Sequence, residues 1–261
     1  MFNNLLSSSD AWVQMDGLAT DVAASTRGDI FVAGTKRCEG GYIVYEWNQQ
    51  WVEIGAGLRV AAAPDGTPWV VDNVGMRIQR RVGGRWITIQ GEAQDIGVGA
   101  DGTPWVIGPD AKEGGYGVHR FVSPEKGWER IDGCAGVRIA VDSTGKAWVV
   151  NSNRDVFAYN GSTFDHQGSG VLDVSAGPNG SIALACIDGS VRIRRPGAGS
   201  GWTQVRPPFG FVNIAVMSQG QILGADQSTR IYCEGVGSNA EAVQAANALA
   251  GGNPAPFGFA N

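Results

Sequence analysis

The sequence predicts an all-β protein, a six-bladed β-propeller whose blades are four-stranded antiparallel sheets. Two repeated features indicate this fold: an aromatic residue that opens a short strand recurs six times, about every 35 to 42 residues, and a glycine turn recurs at one fixed place in each repeat. A third indication is composition, because 40 of the 261 residues are glycine, more than long helices would contain. A repeat of this length suits four short strands with their turns.

Each repeat begins with its aromatic residue and continues through four strands. The second repeat shows the order best: WVEI from Trp51, then RVAAA, the turn Asp65-Gly66, PWVV and MRIQRR. A glycine at this turn in every repeat indicates positive φ, as tight hairpins require. One such sheet cannot bury both faces alone, whereas six stacked radially protect their faces and edges. The opening aromatic residues are Trp12, Trp51, Trp86, Trp128, Phe164 and Trp202.

The two ends of the repeat region predict how the ring closes. The chain begins with an aromatic strand, Trp12 to Met15, and the last repeat ends after the strand from Arg230 to Cys233. We therefore expect the first strand to complete the last blade, so that a hydrogen-bonded pair replaces two exposed edges. The predicted propeller spans residues 1–235, and residues 236–261 form a separate C-terminal segment.

A second period lies on top of the first. The first and third repeats carry TDVAAS and QDIGVG followed by long segments, whereas the second and fourth carry LRVAAA and VRIAVD followed by shorter ones. The fifth and sixth repeats, with LDVSAG and VNIAVM, continue this alternation weakly. The pattern predicts pseudo-threefold character, with longer loops on the odd-numbered blades.

The C-terminal segment differs in kind from the repeats. Ser238 and Glu241 have the spacing of a capping box, and the good helix formers that follow them end at Gly251-Gly252, which predicts a short helix. After it, Phe257 and Phe259 lie in a proline-containing stretch that suits an extended peptide docking on the propeller or on a protein partner. A disordered tail is the alternative.

Charge and apolar patterning argue against several classes of partner. The formal net charge is -5, with no basic stripe to neutralise phosphates, so we expect no nucleic acid partner. We expect no membrane span, because no apolar stretch is long enough. The first ten residues, MFNNLLSSSD, lack the pattern of a signal peptide, which predicts cytoplasmic synthesis, with non-classical release or inclusion in an exported assembly as the routes outward.

Chemistry-bearing residues are sparse. The only histidines, His119 and His166, lie in different repeats and outside metal-ligand spacings, and the four cysteines are scattered in the manner of small buried hydrophobic residues. The turn D-G-T-P-W has Asp directly before Gly, unlike the S-x-D-x-G-x-x-W box of hydrolytic propellers. We therefore expect no catalytic residues, no metal and no cofactor, and interpret the chain as a binding protein and not an enzyme.

The repeat resembles a known family. The order W-x-x-I, a D-I-G-V-G-like strand, D-G-T-x-W-V-x-G and a final I-x-R-R resembles the tectonin-type propeller repeat, found in the tectonin and tachylectin-like lectins, from Trp12 to about Gly235. The match is best over residues 86–108 and 136–161, whereas the fifth repeat departs, with Phe164 in place of the opening Trp. The resemblance implies multivalent recognition of glycans, including methylated sugars and lipopolysaccharide, through clefts repeated between blades. It also implies that some members serve as modules of larger assemblies.

Two kinds of residue are candidates for carbohydrate binding. The opening residues Trp51 and Trp128 lie on predicted outer strands, where an indole can stack on a sugar ring or pack between blades. Polar loops follow the third strand of several repeats, where short side chains can bind hydroxyl groups or simply form turns. From these loops and the strands after them, the carbohydrate-binding candidates are Asp72, Asn73, Arg77, Asn151, Asn153 and Asp226.

Two functions remain open at this point. The first is a lectin that binds sugars in its interblade clefts and gains affinity by multivalency. The alternative is a non-enzymatic structural or receptor-recognition module of a larger bacterial or viral assembly, docked through Phe257 and Phe259.

Overall fold

A computed structural model describes residues 12–197, 199 and 201–235 of the chain. Every regular element in this part of the chain is a β-strand, and it contains no helix that could cross a membrane. The strands form six four-stranded antiparallel sheets, which confirms the predicted six-bladed propeller. The predicted C-terminal helix, together with Phe257 and Phe259, lies outside the described residues.

Five blades use consecutive strands. Each runs from an innermost strand at the central channel to an outermost strand at the periphery. Blade 1 comprises β2 (Asp21–Ala24), β3 (Ile30–Cys38), β4 (Gly41–Trp47) and β5 (Trp51–Gly57); blade 2 comprises β6 (Arg59–Ala62), β7 (Pro68–Val71), β8 (Arg77–Val82) and β9 (Arg85–Glu92); blade 3 comprises β10 (Asp95–Val98), β11 (Pro104–Lys112), β12 (Gly115–Ser123) and β13 (Gly127–Gly136). Blade 4 comprises β14 (Arg138–Val141), β15 (Ala147–Val150), β16 (Asp155–Tyr159) and β17 (Phe164–Ser169); blade 5 comprises β18 (Val171–Ala176), β19 (Ile182–Cys186), β20 (Val191–Arg194) and β21 (Thr203–Val205).

The sixth blade closes the ring. It contains β22 (Phe211–Val216), β23 (Ile222–Asp226), β24 (Arg230–Glu234) and, as its outermost strand, β1 (Trp12–Leu18). Strand β1 pairs antiparallel with β24, with Trp12 opposite Glu234 and Met15 opposite Ile231. The predicted closure by the first strand is confirmed. Each sequence repeat therefore spans two blades, because its aromatic strand is the outermost strand of the preceding blade.

The glycine turns connect each innermost strand to the second strand of the same blade. In all six blades the turn glycine has φ between 79° and 95°, a conformation that L side chains rarely adopt, as the repeat predicted. We call the end of the ring that carries these turns the exit face. The opposite end, where each innermost strand begins, is the entry face. The six turn glycines are Gly28, Gly66, Gly102, Gly145, Gly180 and Gly220.

Two odd-numbered blades carry the longer hairpins that the second period predicted. Strands β3 and β11 have nine residues, against four in β7 and β15 of the even blades. At the hairpin tips the carbonyls of Gly40 and Gly114 accept hydrogen bonds from the backbone N–H groups of Asn73 and Ser152 in the next blade. Blade 5 does not share this feature, since β19 has five residues.

The core lies between neighbouring blades, where strand faces pack against each other. Between blades 2 and 3, for example, Trp69 and Ile78 share one buried cluster with Ile96 and Val106. Burial of these apolar faces against the next blade stabilises the stack, at about 25 cal/mol for each Å² removed from water. Each blade depends on both neighbours, so the ring is expected to unfold as one unit.

Candidate ligand-binding cleft

The entry face has a ring of polar residues around the mouth of the channel. One residue at or near the start of each innermost strand contributes, and aspartate alternates with arginine until the sixth blade supplies an asparagine. Each aspartate accepts a hydrogen bond of 2.8 Å from a backbone N–H of the next blade, donated by Val60, Ile139 and Ile214 in turn. In blade order, the ring consists of Asp21, Arg59, Asp95, Arg138, Asp173 and Asn213.

The charges of this ring are paired around the channel. The Arg59 guanidinium lies 3.9 Å from the Asp21 carboxylate and 3.8 Å from that of Asp95, and Arg138 Nε lies 3.5 Å from Asp173. The Asn213 amide donates to Asp21 at 3.1 Å. Burial raises the pKa of Asp173 to about 7 and also raises that of Asp95, because desolvation penalises the charged carboxylate.

The channel mouth itself has little room for a ligand. Its cavity has a volume of about 80 Å³ and is lined by residues of the innermost strands. Small-molecule sites commonly have volumes of roughly 300 to 1,000 Å³. The ring of charges therefore acts chiefly to hold the six innermost strands together.

Neighbouring blades also meet at their outer edges, through the tryptophans that open the repeats. At three successive junctions the indole N–H of one outermost strand donates to a backbone carbonyl of the preceding outermost strand, at 2.6 to 2.7 Å. We call these junctions tryptophan seams. The donor and acceptor pairs are Trp51 with Asp16 at the seam of blades 6 and 1, Trp86 with Ile54 at the seam of blades 1 and 2, and Trp128 with Gln90 at the seam of blades 2 and 3.

A β-bulge makes each of these carbonyls available. The register of β9 against β8 shifts between Ile89 and Glu92, which leaves Gln90 and Gly91 outside the ladder. An extra residue in a bulge loses its ladder partner, so its carbonyl is free to accept another donor. Gly91 has φ of 122°, and a Cβ there would lie 2.5 Å from Trp128 Nε1. The bulge therefore positions the indole and requires a glycine beside it.

The seams differ in how much of the indole stays accessible. Trp51 is 7% exposed and packs against Trp47, with ring centroids 4.9 Å apart. Trp128 is half-buried and packs edge-to-face against Phe121 at 5.2 Å. The Trp128 ring therefore keeps contact with both the core and the surface.

Trp128 forms one wall of a cleft between blades 2 and 3. The cleft has a volume of about 470 Å³, within the range of small-molecule sites. The outermost strand of blade 2 supplies one side, and strands β11 to β13 of blade 3 supply the other. The residues that line it are Gln90, Gly91, Glu92, Val106, Pro109, His119, Glu125, Lys126, Gly127 and Trp128.

His119 has polar neighbours at the edge of the cleft. Its Nε2 lies 3.6 Å from Asp110 Oδ1, and the Arg130 guanidinium lies 3.9 Å from Asp110 Oδ2. Within the described part of the chain, Asp110 Oδ1 and His119 Nδ1 have no hydrogen-bond partner. Gly108 leaves the space for the imidazole, because a Cβ there would lie 2.6 Å from Nδ1. His119 is thus held by position more than by hydrogen bonds.

Two of the predicted binding loops are organised around a buried aspartate. Asp72 is 2% exposed, accepts the backbone N–H groups of Val74 and Arg77, and binds the Arg77 guanidinium at 2.7 Å. Asp226 makes the same set of contacts with its own loop, including the guanidinium of Arg230 at 2.7 Å. These carboxylates shape the turns between the second and third strands.

The asparagines of the predicted loops are divided between two environments. Asn151 is 9% exposed, and its side-chain oxygen accepts the backbone N–H of Asp155 at 2.9 Å. Asn73 and Asn153 are exposed on the entry face. Their roles in carbohydrate binding stay predictions.

The structure does not bring the predicted carbohydrate-binding residues into one site. Trp128 lies in the cleft of blades 2 and 3, and Trp51 lies at the seam of blades 6 and 1; the polar candidates lie on the entry-face loops of blades 2, 4 and 6. The polar lining of the cleft, Gln90, Glu92 and His119, was not among the predicted site residues. A signal for the first two exists in the sequence, because polar residues flank the glycine at the bulge that follows Trp86.

Metal-binding and redox-active clusters are not a feature of the described ranges. No group of three His, Cys, Asp or Glu side chains there could hold a metal ion, and the four cysteines are free thiols. Burial raises the pKa of Cys134 and of Cys233 to about 11, which keeps both thiols protonated at neutral pH.

Sequence comparison now gives the family. The family model of the tectonin domain matches residues 106–249, more than half of the chain and including most of blade 3. The chain belongs to the tectonin family. No curated protein matches the sequence.

Solved structures with the same fold are distant in sequence. A structure described as a putative gluconolactonase is 14% identical, with a TM-score of 0.62 over 85% of this chain and 90% of that one. A gluconolactonase from Xanthomonas campestris is 12% identical, with a TM-score of 0.63 over 85% and 88%. A streptogramin B lyase is 10% identical, with a TM-score of 0.58 over 87% and 98%. At these identities the similarity shows the propeller fold alone.

Proposed function

We propose that this tectonin propeller is a lectin that binds a glycan in the cleft between blades 2 and 3. The observation that carries the proposal is the half-buried Trp128, which forms a wall of a 470 Å³ cleft whose other lining groups are polar. An aromatic face can stack on the C–H groups of a pyranose, and the surrounding side chains can bind its hydroxyl groups.

The polar groups of the cleft can both donate and accept hydrogen bonds. Gln90 offers an amide, Glu92 and Glu125 offer carboxylates, and His119 and Lys126 offer donors. Sugar hydroxyls are donors and acceptors at once, so this mixture suits them. Methylated sugars and lipopolysaccharide, which the family resemblance implies, are among the glycans to be tested.

A glycan array followed by calorimetric titration tests the proposal. We expect the purified protein to bind at least one glycan, and His119→Ala to weaken binding about tenfold, which is the loss of one net hydrogen bond of about 1.4 kcal/mol. His166→Ala is the matched control, because His166 is the second histidine and lies on β17 of blade 4. A folded protein that binds no glycan on the array would rule the lectin function out.

The propeller is proposed as a binding protein and not an enzyme. Tectonin family membership supports this, whereas gluconolactonase and lyase are the described activities of proteins that share only the fold. Incubation of the protein with gluconolactone, followed by pH-stat measurement of acid release, should give the uncatalysed rate. Catalysed hydrolysis would contradict the proposal.

A recognition module within a larger assembly is the second candidate function. Two exposed apolar side chains on the entry face favour it: Ile187 is 64% exposed, and Phe209 is 43% exposed beneath the Arg230 guanidinium, 3.8 Å from the ring centroid. Native mass measurement of the full chain should then show an oligomer that Ile187→Asp disrupts and Val122→Asp, on β12, leaves intact. A monomer at all concentrations would argue against self-assembly through this face.

A further inference from the structure

The three tryptophan seams have the same hydrogen bond but different flanking side chains. At the seam of blades 2 and 3, Gly91 lies between Gln90 and Glu92; at the seam of blades 1 and 2, Gly55 lies between Ile54 and Ala56. At the seam of blades 6 and 1, Asp16 and Leu18 flank Gly17. The three junctions thus form a natural series in which the indole contact is constant and the flanking chemistry changes.

Resting on the lectin function proposed above, we infer that the seam of blades 2 and 3 is the single working site among the three seams, with Gln90 and Glu92 as its specificity-determining residues. We further infer that it takes neutral or amino-bearing sugars and rejects acidic ones. The resemblance to multivalent lectins predicted several clefts, so a single site departs from that expectation.

Accessibility of the indole separates the first seam from the third. The Trp51 side chain is buried under Trp47 and against Gly17, whose missing Cβ would lie 2.9 Å from Trp51 Nε1. A sugar needs an open aromatic face on which to stack. The seam of blades 6 and 1 lacks one, because its tryptophan is part of the core next to the closing strand.

Flanking polarity separates the second seam from the third. Trp86 is half-buried like Trp128, but Ile54 and Ala56 offer no side-chain hydrogen bonds beside it. A hydroxyl that leaves water for an apolar surface without a new partner costs roughly 1 to 3 kcal/mol. Gln90 and Glu92 are exposed on β9 and line the cleft, so they can supply partners in place of the lost water.

The charges in the cleft determine the kind of sugar. Two carboxylates line it, Glu92 and Glu125, against the single ammonium of Lys126. The nearest further cation, Arg130, is already paired with Asp132 at 2.8 Å and lies 3.9 Å from Asp110. A uronic acid or sulfated sugar would bring a third negative charge, whereas an ammonium group would find an acceptor.

Calorimetric titration with three related probes tests both parts of the inference. The probes are methyl glucoside, glucosamine in its ammonium form and glucuronate, each compared with the best neutral ligand from the glycan array. We expect one ligand per chain, and glucuronate binding at least tenfold weaker than methyl glucoside. Glu92→Gln should narrow this difference by restoring glucuronate more than it changes methyl glucoside.

Paired variants identify the residues. Gln90→Ala with Glu92→Ala should weaken binding of the neutral ligand at least tenfold, while Thr88→Ala, an exposed position on the same strand outside the cleft lining, should leave the affinity unchanged. Circular dichroism and the melting temperature verify that all variants keep the fold.

The outcomes distinguish this inference from the lectin function itself. Two or more ligands per chain, unchanged affinity in the double variant, or equal binding of glucuronate would overturn the inference while the lectin function stands. Absence of binding to every glycan would overturn both.

Discussion

The channel mouth and the cleft of blades 2 and 3 are both rich in polar side chains, yet their organisation differs. At the channel mouth, Asp95 and Arg138 are members of a ring that extends through all six blades, and the aspartates accept backbone hydrogen bonds. In the cleft, Gln90 and Glu92 are exposed and specific to one seam. Polar residues that follow the repeat thus stabilise the ring, while polar residues that depart from it are available to a ligand.

Loss of a ring arginine should have the largest effect and would break the comparison if it did not. Arg138→Met leaves the buried carboxylates Asp95 and Asp173 without their shared cation, which should cost about 3 to 5 kcal/mol of unfolding free energy. Arg206→Met, whose guanidinium is exposed and 3.9 Å from Asp188, should cost less than about 1 kcal/mol. Chemical denaturation measures both, and equal costs would show that the ring does not hold the blades together.

The pH dependence of stability should also report on the ring. Asp173 has a pKa of about 7 in the folded protein, against about 3.9 for an unperturbed Asp, so the folded state holds an extra proton between these values. Stability should therefore fall as the pH rises from 5 to 7 and level off above the folded pKa. Carboxylates whose pKa is lowered by hydrogen bonds, such as Asp65 with Thr67, lose their contribution only at lower pH.

Thermal unfolding of Asp173→Asn over pH 5 to 8 is the matched measurement. Asparagine keeps an oxygen for the Ile214 N–H and has no carboxyl group to titrate, so the downward slope should flatten. The same slope in the variant and the parent would assign the titration to another group.

A smaller effect is expected where one blade lacks a hydrogen bond that its counterpart makes. In blade 4, Trp148 Nε1 donates to Asp142 at 3.1 Å; in blade 2, Ala63 stands in the corresponding turn position and Trp69 Nε1 has no partner in the described chain. Ala63→Asp should provide one and stabilise the protein by about 1 kcal/mol. A lower denaturation midpoint would mean that the departure at Ala63 is not merely a missing bond.

The smallest effect on stability is expected in the cleft. The double variant Gln90→Ala and Glu92→Ala should change the unfolding free energy by less than about 0.5 kcal/mol, because both side chains are exposed. A cost of several kcal/mol would place these residues with the ring, as structural groups.

The sequence predicted the architecture because the features that form it repeat. The turn glycines, the closing strand at Trp12 and the alternation of TDVAAS with LRVAAA are all visible as periodicity. That the Asp and Arg of these segments meet around one channel depends on six strands converging, which local patterns do not encode. The alternation was therefore read correctly before its physical reason was known.

The candidate site was less predictable because one residue type serves two purposes. Asp72 and Asp226 have the letters of a sugar-binding loop, but their carboxylates bind their own turns. Trp51 and Trp128 occupy equivalent positions, and only the packing of Trp47 against the former separates a buried indole from a half-buried one. Gln90 and Glu92 become cleft residues through a bulge whose register depends on the neighbouring strand.

A crystal structure of the protein soaked with the strongest-binding glycan from the array tests the central claim most directly. The account predicts sugar density over the Trp128 ring, between β9 of blade 2 and strands β11 to β13 of blade 3, within reach of Gln90 and Glu92. Density at the entry-face loops around Asp72 and Asp226, or at another seam, with an empty cleft beside Trp128, would contradict it.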